Sequence, residues 1–326
     1  MSFHNLPASI HFNGAILLGE NFVADAHFKK KIRIVTHAHA DHMWGLKDSI
    51  RECEKIIATP LTIEIIKEMK NYNSSKFHPL EYEKEFIVDD ERIKLYPSSH
   101  VPGAAQILYQ KGDLRIVYTG DFKKGTEPLK CDILVMEATY GNPRWKRSFE
   151  DEIEEIFLNF IQENLKNLPI LIFGYHGKLQ EVLSLFKNLR LEIPILTTEK
   201  IFRLMRVYER FGFNFPLYYS DKSEDGIEFL KSGKFIGIFH MSSKYRKFKG
   251  LKIILSGWQF DVPIKKIEDE TFQIALSDHA DFNGLLHYVE ESSPSLVITD
   301  NYRVGDAPSL ARAIQRKLGI KSIPMP

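Results

Sequence analysis

The stretch VTHAHADHMWGL, residues 35–46, packs His37, His39, Asp41 and His42 into six positions. It follows the apolar, β-branched run IRIV, so a strand should end near Thr36. In extended chain, residues two apart point the same way, and His37 and His39 can then grip one ion together. Asp41 and His42 lie just beyond, where the chain turns, and can begin a second site. Neither site is complete without ligands from distant sequence. Working outward, His100 in YPSSHVPGAAQ and Asp121 in IVYTGDF both follow apolar strand-like runs, where loop-borne chemistry collects. A carboxylate can bridge two ions, and Asp121 is the residue chosen for the bridge. The lone histidines His4, His11, His27, His78, His240 and His287 read as ordinary hydrogen-bonded core or surface residues.

Composition narrows the class. The 326 residues are 44% hydrophobic, enough for one large or two moderate domains. The net charge of +1 excludes a uniformly polycationic nucleic-acid binder but allows local basic patches. The two cysteines, Cys53 and Cys131, form no CxxC pattern, so neither a disulfide framework nor a cysteine-type zinc site is expected. With no signal-like N-terminus and no apolar run of membrane-spanning length, the chain reads as soluble and cytoplasmic, with no membrane partner.

The first 140 residues read as short strands, with a helix in TPLTIEIIKEMKNY and a hairpin around Lys111-Gly112-Asp113. From about Arg144 the pattern becomes alternating helices and strands, the signature of a parallel sheet. SFEDEIEEIFLNFIQENLKN opens this segment as an amphipathic helix with acidic first turns.

At these residues the chain resembles the metallo-β-lactamase superfamily, whose HxHxDH signature appears here as His37 to His42. SSHVPGAAQILY, RIVYTGDF and ILVMEATYG are similar to its nucleic-acid-processing β-CASP branch, and the wording is nearest to ligase-associated and archaeal DNA exonucleases. The resemblance implies an α/β fold: an αββα sandwich with an inserted Rossmann-like α/β cap. The expected division is 1–143 and 263–326 for the sandwich and 144–262 for the cap. It also implies two divalent ions, zinc or alternatively manganese. His37, His39 and His100 would hold the first, Asp41 and His42 the second, and Asp121 would bridge. Asp25, in NFVADAHF, matches a buried strand-end aspartate. Glu137 and His279, in ALSDHADFNGLL, match two further motifs, and with Asp41 these four are the candidate catalytic residues, Asp25 and Glu137 by orienting the ligands or His279. At the branch's third extra motif, RNA-processing members carry histidine. Here the position in SLVITDNY is Asp300, which leans toward DNA and could itself serve as a ligand.

Substrate-holding candidates are Lys178, in the helix-opening GYHGK, and Lys244, Tyr245, Arg246, Lys247 and Lys249, in KYRKFKG. RWKR at 144–147 is similar. Taken alone, each of these stretches is also what a solvated surface or an ordinary turn looks like. The expected function is therefore a metal-dependent DNA exonuclease in repair, with DNA ligase or helicase pathway proteins as partners. An RNA-processing nuclease is the alternative. A small-molecule hydrolase and a non-catalytic binding subunit stand further off.

Overall fold

The structure is a computed structural model describing residues 6–189 and 192–326. Its chain contacts divide it into two units, Met1–Lys146 with His279–Pro326, and Arg147–Asp278.

The first unit holds two sheets. One runs in chain order: β1 (Ala8–Ile10), β2 (Ile16–Leu18), β3 (Phe22–Ala24), β4 (Ile32–Ile34), β5 (Lys55–Ala58) and β6 (Phe77–Pro79). The other contains β7 (Glu85–Val88), β8 (Glu91–Pro97), β9 (Ala105–Lys111), β10 (Leu114–Tyr118) and β11 (Ile133–Met136). The expected hairpin is β9–β10, paired Leu114 to Lys111.

The second unit carries β12 (Ile170–Gly174), β13 (Ile195–Thr197), β14 (Tyr218–Ser220), β15 (Ile236–His240), β16 (Leu251–Leu255), β17 (Ile264–Glu268) and β18 (Thr271–Ile274). Its sheet order is β14-β13-β15-β12-β16-β18-β17, parallel except for the edge strand β17. Because β17 and β18 extend this sheet, the chain returns to the first unit at His279, later than residue 263. The return adds β19 (Leu296–Asp300) and β20 (Lys321–Met325), which complete the order β20-β19-β11-β10-β9-β8-β7.

Side-chain alternation builds the layers. Ile133 and Val135 of β11, Ile116 and Tyr118 of β10, and Leu296 and Ile298 of β19 face inward. There they join Ile16, Phe22 and Ile34 of the first sheet in one core. The intervening Leu134, Met136, Val117 and Val297 face the opposite way, onto Phe282, Leu285, Leu310 and Ile314. Those four lie on two helices, Phe282–Ser292 and Ala307–Leu318. On the other flank, the helix Pro60–Lys70 buries Leu61, Ile63, Ile65 and Ile66, with the Thr59 side chain capping its N-terminus. The result is an αββα sandwich. In the second unit, Ile170 and Ile172 enter one core and Leu171 and Phe173 another, so β12 is buried on both faces, as a central parallel strand must be. Among the described residues, no helix is long and apolar enough to cross a membrane.

Candidate metal centre

Asp25, the His37–His42 loop, His100, Asp121, Glu137 and Asp300 sit at or just beyond the C-terminal ends of β3, β4, β8, β10, β11 and β19. Within each sheet these strands point the same way, so their trailing loops gather at one end. Gly120, at φ +55°, lets the chain after β10 approach closely: a Cβ there would meet Ala105 O at 3.0 Å and Thr36 Cβ at 3.2 Å.

The gathered ligands are His37, His39, His100 and Asp121, with one donor atom of each lying within 4.8 Å of the others. His39 Nδ1 is 3.1 Å from His37 Nε2 and 3.0 Å from His100 Nε2. Asp121 Oδ2 is 3.7 Å from both His37 Nε2 and His100 Nε2. Donor atoms around one tetrahedral zinc, at bonds of about 2.0–2.1 Å, would be about 3.3 Å apart, so the set fits such an ion.

Beside it, a 3-10 turn at Ala40–His42 brings His42 back under the loop. His42 Nε2 lies 3.2 Å from Asp121 Oδ2 and 3.6 Å from Asp41 Oδ2. It is buried and has no hydrogen-bond partner among the described residues. A buried ring nitrogen aimed between two carboxylates fits a second cation that takes the place of its proton, with Asp121 shared.

The electrostatics agree. His37 is held neutral, well below its usual value, first by burial and then by the neighbouring His42, His100 and His39. Burial works against ionising Asp121, yet His42, His279 and His100 keep its carboxyl well below the usual range. Burial likewise opposes charge on His42, but Asp121, Asp25 and Asp41 raise it to about 10, against the opposing charge of Arg303. A proton thus rests where a metal would displace it.

Asp25 is fully buried and adopts a left-handed conformation at φ 61°. It accepts from Thr36 N at 2.8 Å, Thr36 Oγ1 at 2.7 Å and Tyr118 OH at 2.9 Å, and lies 2.7 Å from His42 Nδ1. Buried as it is, it acts through another residue and not on substrate: it engages His42 Nδ1, which turns Nε2 toward the centre. Glu137 is also buried. It accepts from Phe122 N at 2.7 Å and stands 3.0 Å from His279 Nδ1. Phe122 O in turn accepts from Ala280 N, so one residue places both motifs. Burial raises the Glu137 carboxyl, partly offset by His279. The His279 ring is 4.7 Å from that of His100.

Asp300 is placed differently from the ligand role considered for it. Its Oδ2 accepts from Arg303 Nη1 at 2.6 Å, and its Oδ1 accepts from the backbone of Tyr302 and Arg303. The carboxylate therefore belongs to an ion pair.

The basic-aromatic stretch is also corrected in part. Tyr245 is buried, stacked on Phe239 and bonded to Asp221, so it is core and cannot stack on a base. Lys244, Arg246, Lys247 and Lys249 are exposed. Lys178 is 6% exposed and paired with Asp278 at 3.1 Å, so it is not an open phosphate-binding cation. Arg147 of RWKR is buried on Gly257 O. Of the lone histidines, His4 lies outside the described residues, while His11 and His27 find Asn13 and Ser49.

Sequence reading missed Arg33 and Arg303. Arg33, fully buried, donates to His42 O, Trp44 O and Ser49 Oγ and so anchors the 40–45 loop. Burial lowers it to about 10. An arginine inside an apolar strand was the available signal.

The model of the beta-lactamase superfamily domain matches residues 27–174. The chain belongs to the metallo-β-lactamase superfamily. Its relatives place it in the β-CASP branch. An uncharacterised protein from the lig 3′ region of Acidianus ambivalens is 33% identical over 137 residues, covering 41% of this chain and 98% of that protein. A probable DNA ligase of Opitutus terrae is 28% identical over 310 residues, covering 90% of this β-CASP chain but 29% of the ligase. An RNase J-like protein of Methanocaldococcus jannaschii is 24% identical, covering 79% of this chain and 78% of the relative. In fold, the chain is similar to a protein of unknown function from Enterococcus faecalis, with TM-score 0.64, 15% identity and coverage of 91% and 80%.

Proposed function

We propose that this chain is a metal-dependent phosphodiesterase acting on nucleic acid, and that its substrate is DNA. The observation that carries the reading is the three-histidine, one-aspartate cluster with His279 held beside it by Glu137. His37, His39, His100 and Asp121 would hold one divalent ion, zinc by ligand type, and Asp121, Asp41 and His42 a second. Such ions, when bound, would supply Lewis acidity near neutral pH and positive charge for the phosphate oxygens. The chain does the rest. Asp25 and Thr36 orient His42. Glu137 accepts a hydrogen bond from His279 Nδ1–H, leaving Nε2 as the atom that binds the scissile phosphate or protonates the leaving oxygen. Asp41, whose side chain is 60% exposed, marks the open edge of the centre.

Two points support DNA: no histidine stands at 300, and 90% of the chain aligns within a probable DNA ligase. A repair exonuclease working with a ligase is the finer form of the proposal. The RNase J-like relative supports the second reading, an RNA-processing nuclease. The test incubates metal-loaded protein and its Asp121→Ala and His279→Ala variants with matched end-labelled DNA and RNA strands. Cleavage favouring DNA, lost in both variants, is expected. Preferential RNA cleavage promotes the second reading, and cleavage of neither strand with two metals bound removes both.

A further inference from the structure

Among the described residues of the first unit, five large apolar side chains stand in solvent; apart from Ile87 on β7 they are Phe12 at 82% exposure, Val304 at 74%, Trp44 at 60% and Tyr302 at 39%. These four lie on three loops that one side chain ties together. The Arg303 guanidinium pairs with Asp300 and donates to Gly14 O at 3.3 Å and to Asp41 O at 3.5 Å. Gly14, at φ +83°, leaves the space that the Tyr302 ring fills. Asn13 Nδ2 donates to His27 O, and His27 N to Trp44 O. Phe12 is thus two residues from one Arg303 contact, Trp44 three residues from another, and Tyr302 and Val304 flank the arginine itself. The middle contact is Asp41, at the open edge of the metal centre.

Exposed rings are costly in water unless something covers them. Here they are fixed at a rim by a buried ion pair and not scattered on mobile chain. Flat, exposed faces beside a phosphate-cleaving centre suit unpaired bases, since stacking is tolerant of sequence and every base has a π-face. We propose that Phe12, Trp44 and Tyr302 form a stacking rim for the unpaired bases of a single-stranded substrate. The proposal rests on the nucleic-acid reading above and goes further in naming strand state and contact residues.

The test measures binding, so it is separate from cleavage. Metal-loaded His279→Ala protein is titrated against a fluorescein-labelled single strand and against an abasic strand of equal length. The base-bearing strand should bind roughly tenfold more tightly. Adding Phe12→Ala and Trp44→Ala together should remove most of that difference, leaving the share that Tyr302 holds, and Trp44→Phe in place of Trp44→Ala, which keeps a ring, should restore much of it. A difference that survives the double substitution undiminished overturns the rim while leaving the nuclease reading intact. Failure of both strands to bind overturns the rim and the nucleic-acid reading together. If sedimentation shows a dimer that the double variant converts to monomer, with strand affinity unchanged, the rim is a self-association face and the proposal falls.

Discussion

His42 and His279 show how a single imidazole is given its task by the carboxylate behind it. Each engages its Nδ1 with a buried acid, Asp25 at 2.7 Å and Glu137 at 3.0 Å, so each presents Nε2. The two acids act by holding a ring in place, and their loss should differ from loss of the ring. His279→Ala is expected to lower kcat by about 10²–10⁴-fold while metal content, read by elemental analysis, stays unchanged. Asp25→Asn should instead weaken metal retention by about 10–100-fold, seen as loss of metal on dialysis against a competing chelator. Retention of both metals by Asp25→Asn would contradict its positioning role.

At the scale of elements, strand alternation and the 300–303 turn carry the argument. Leu134 and Ile172 each sit fully buried in separate cores. Substituting either by alanine should cost about 2–5 kcal/mol, measured as a lower denaturant midpoint of that unit. The Asp300–Arg303 pair joins β19 to the 11–14 and 40–45 loops, and both side chains are buried. Arg303→Met leaves the Asp300 charge uncompensated and should destabilise by about 3–5 kcal/mol. Asp300→Asn with Arg303→Met should recover much of that loss. Equal destabilisation by the single and double variants would show that the ion pair is not the cause.

For the whole molecule, the cysteines and the metal centre make opposite predictions about pH. Both thiols are buried, and burial pushes Cys131 up to about 12 and Cys53 above its usual value. The native protein at pH 8 should therefore leave both unlabelled by a thiol reagent over minutes, with two equivalents appearing on denaturation. At the centre, ligand nitrogens must lose protons to take a metal. Retention should fall as pH drops, because His42, raised to about 10, must give up its proton to the metal, a loss measurable by chelator competition at pH 5 against pH 7.5.

The sequence by itself determined the candidate ligands and their strand-end positions, and its motifs carried the resemblance that implied the class of fold. Histidine spacing, apolar alternation and turn residues are local quantities, and each survives in one dimension. VTHAHADH already shows the histidine pair that folding brings together with His100 and Asp121, and CDILVMEATYG already reads as a strand. Only the tertiary structure decided which polar residues meet. Arg33 is an interruption in an apolar run until folding sets it under His42 O and Trp44 O. Asp300 reads as a ligand until Arg303 closes on it. Tyr245 reads as a stacking residue until Phe239 covers it, and Lys178 as a phosphate clamp until Asp278 neutralises it. Sequence lists the groups able to bond. A buried charge or ring is assigned by the partner that folding brings within a few ångströms, because in a desolvated interior each polar group must be matched by whichever neighbour lies there.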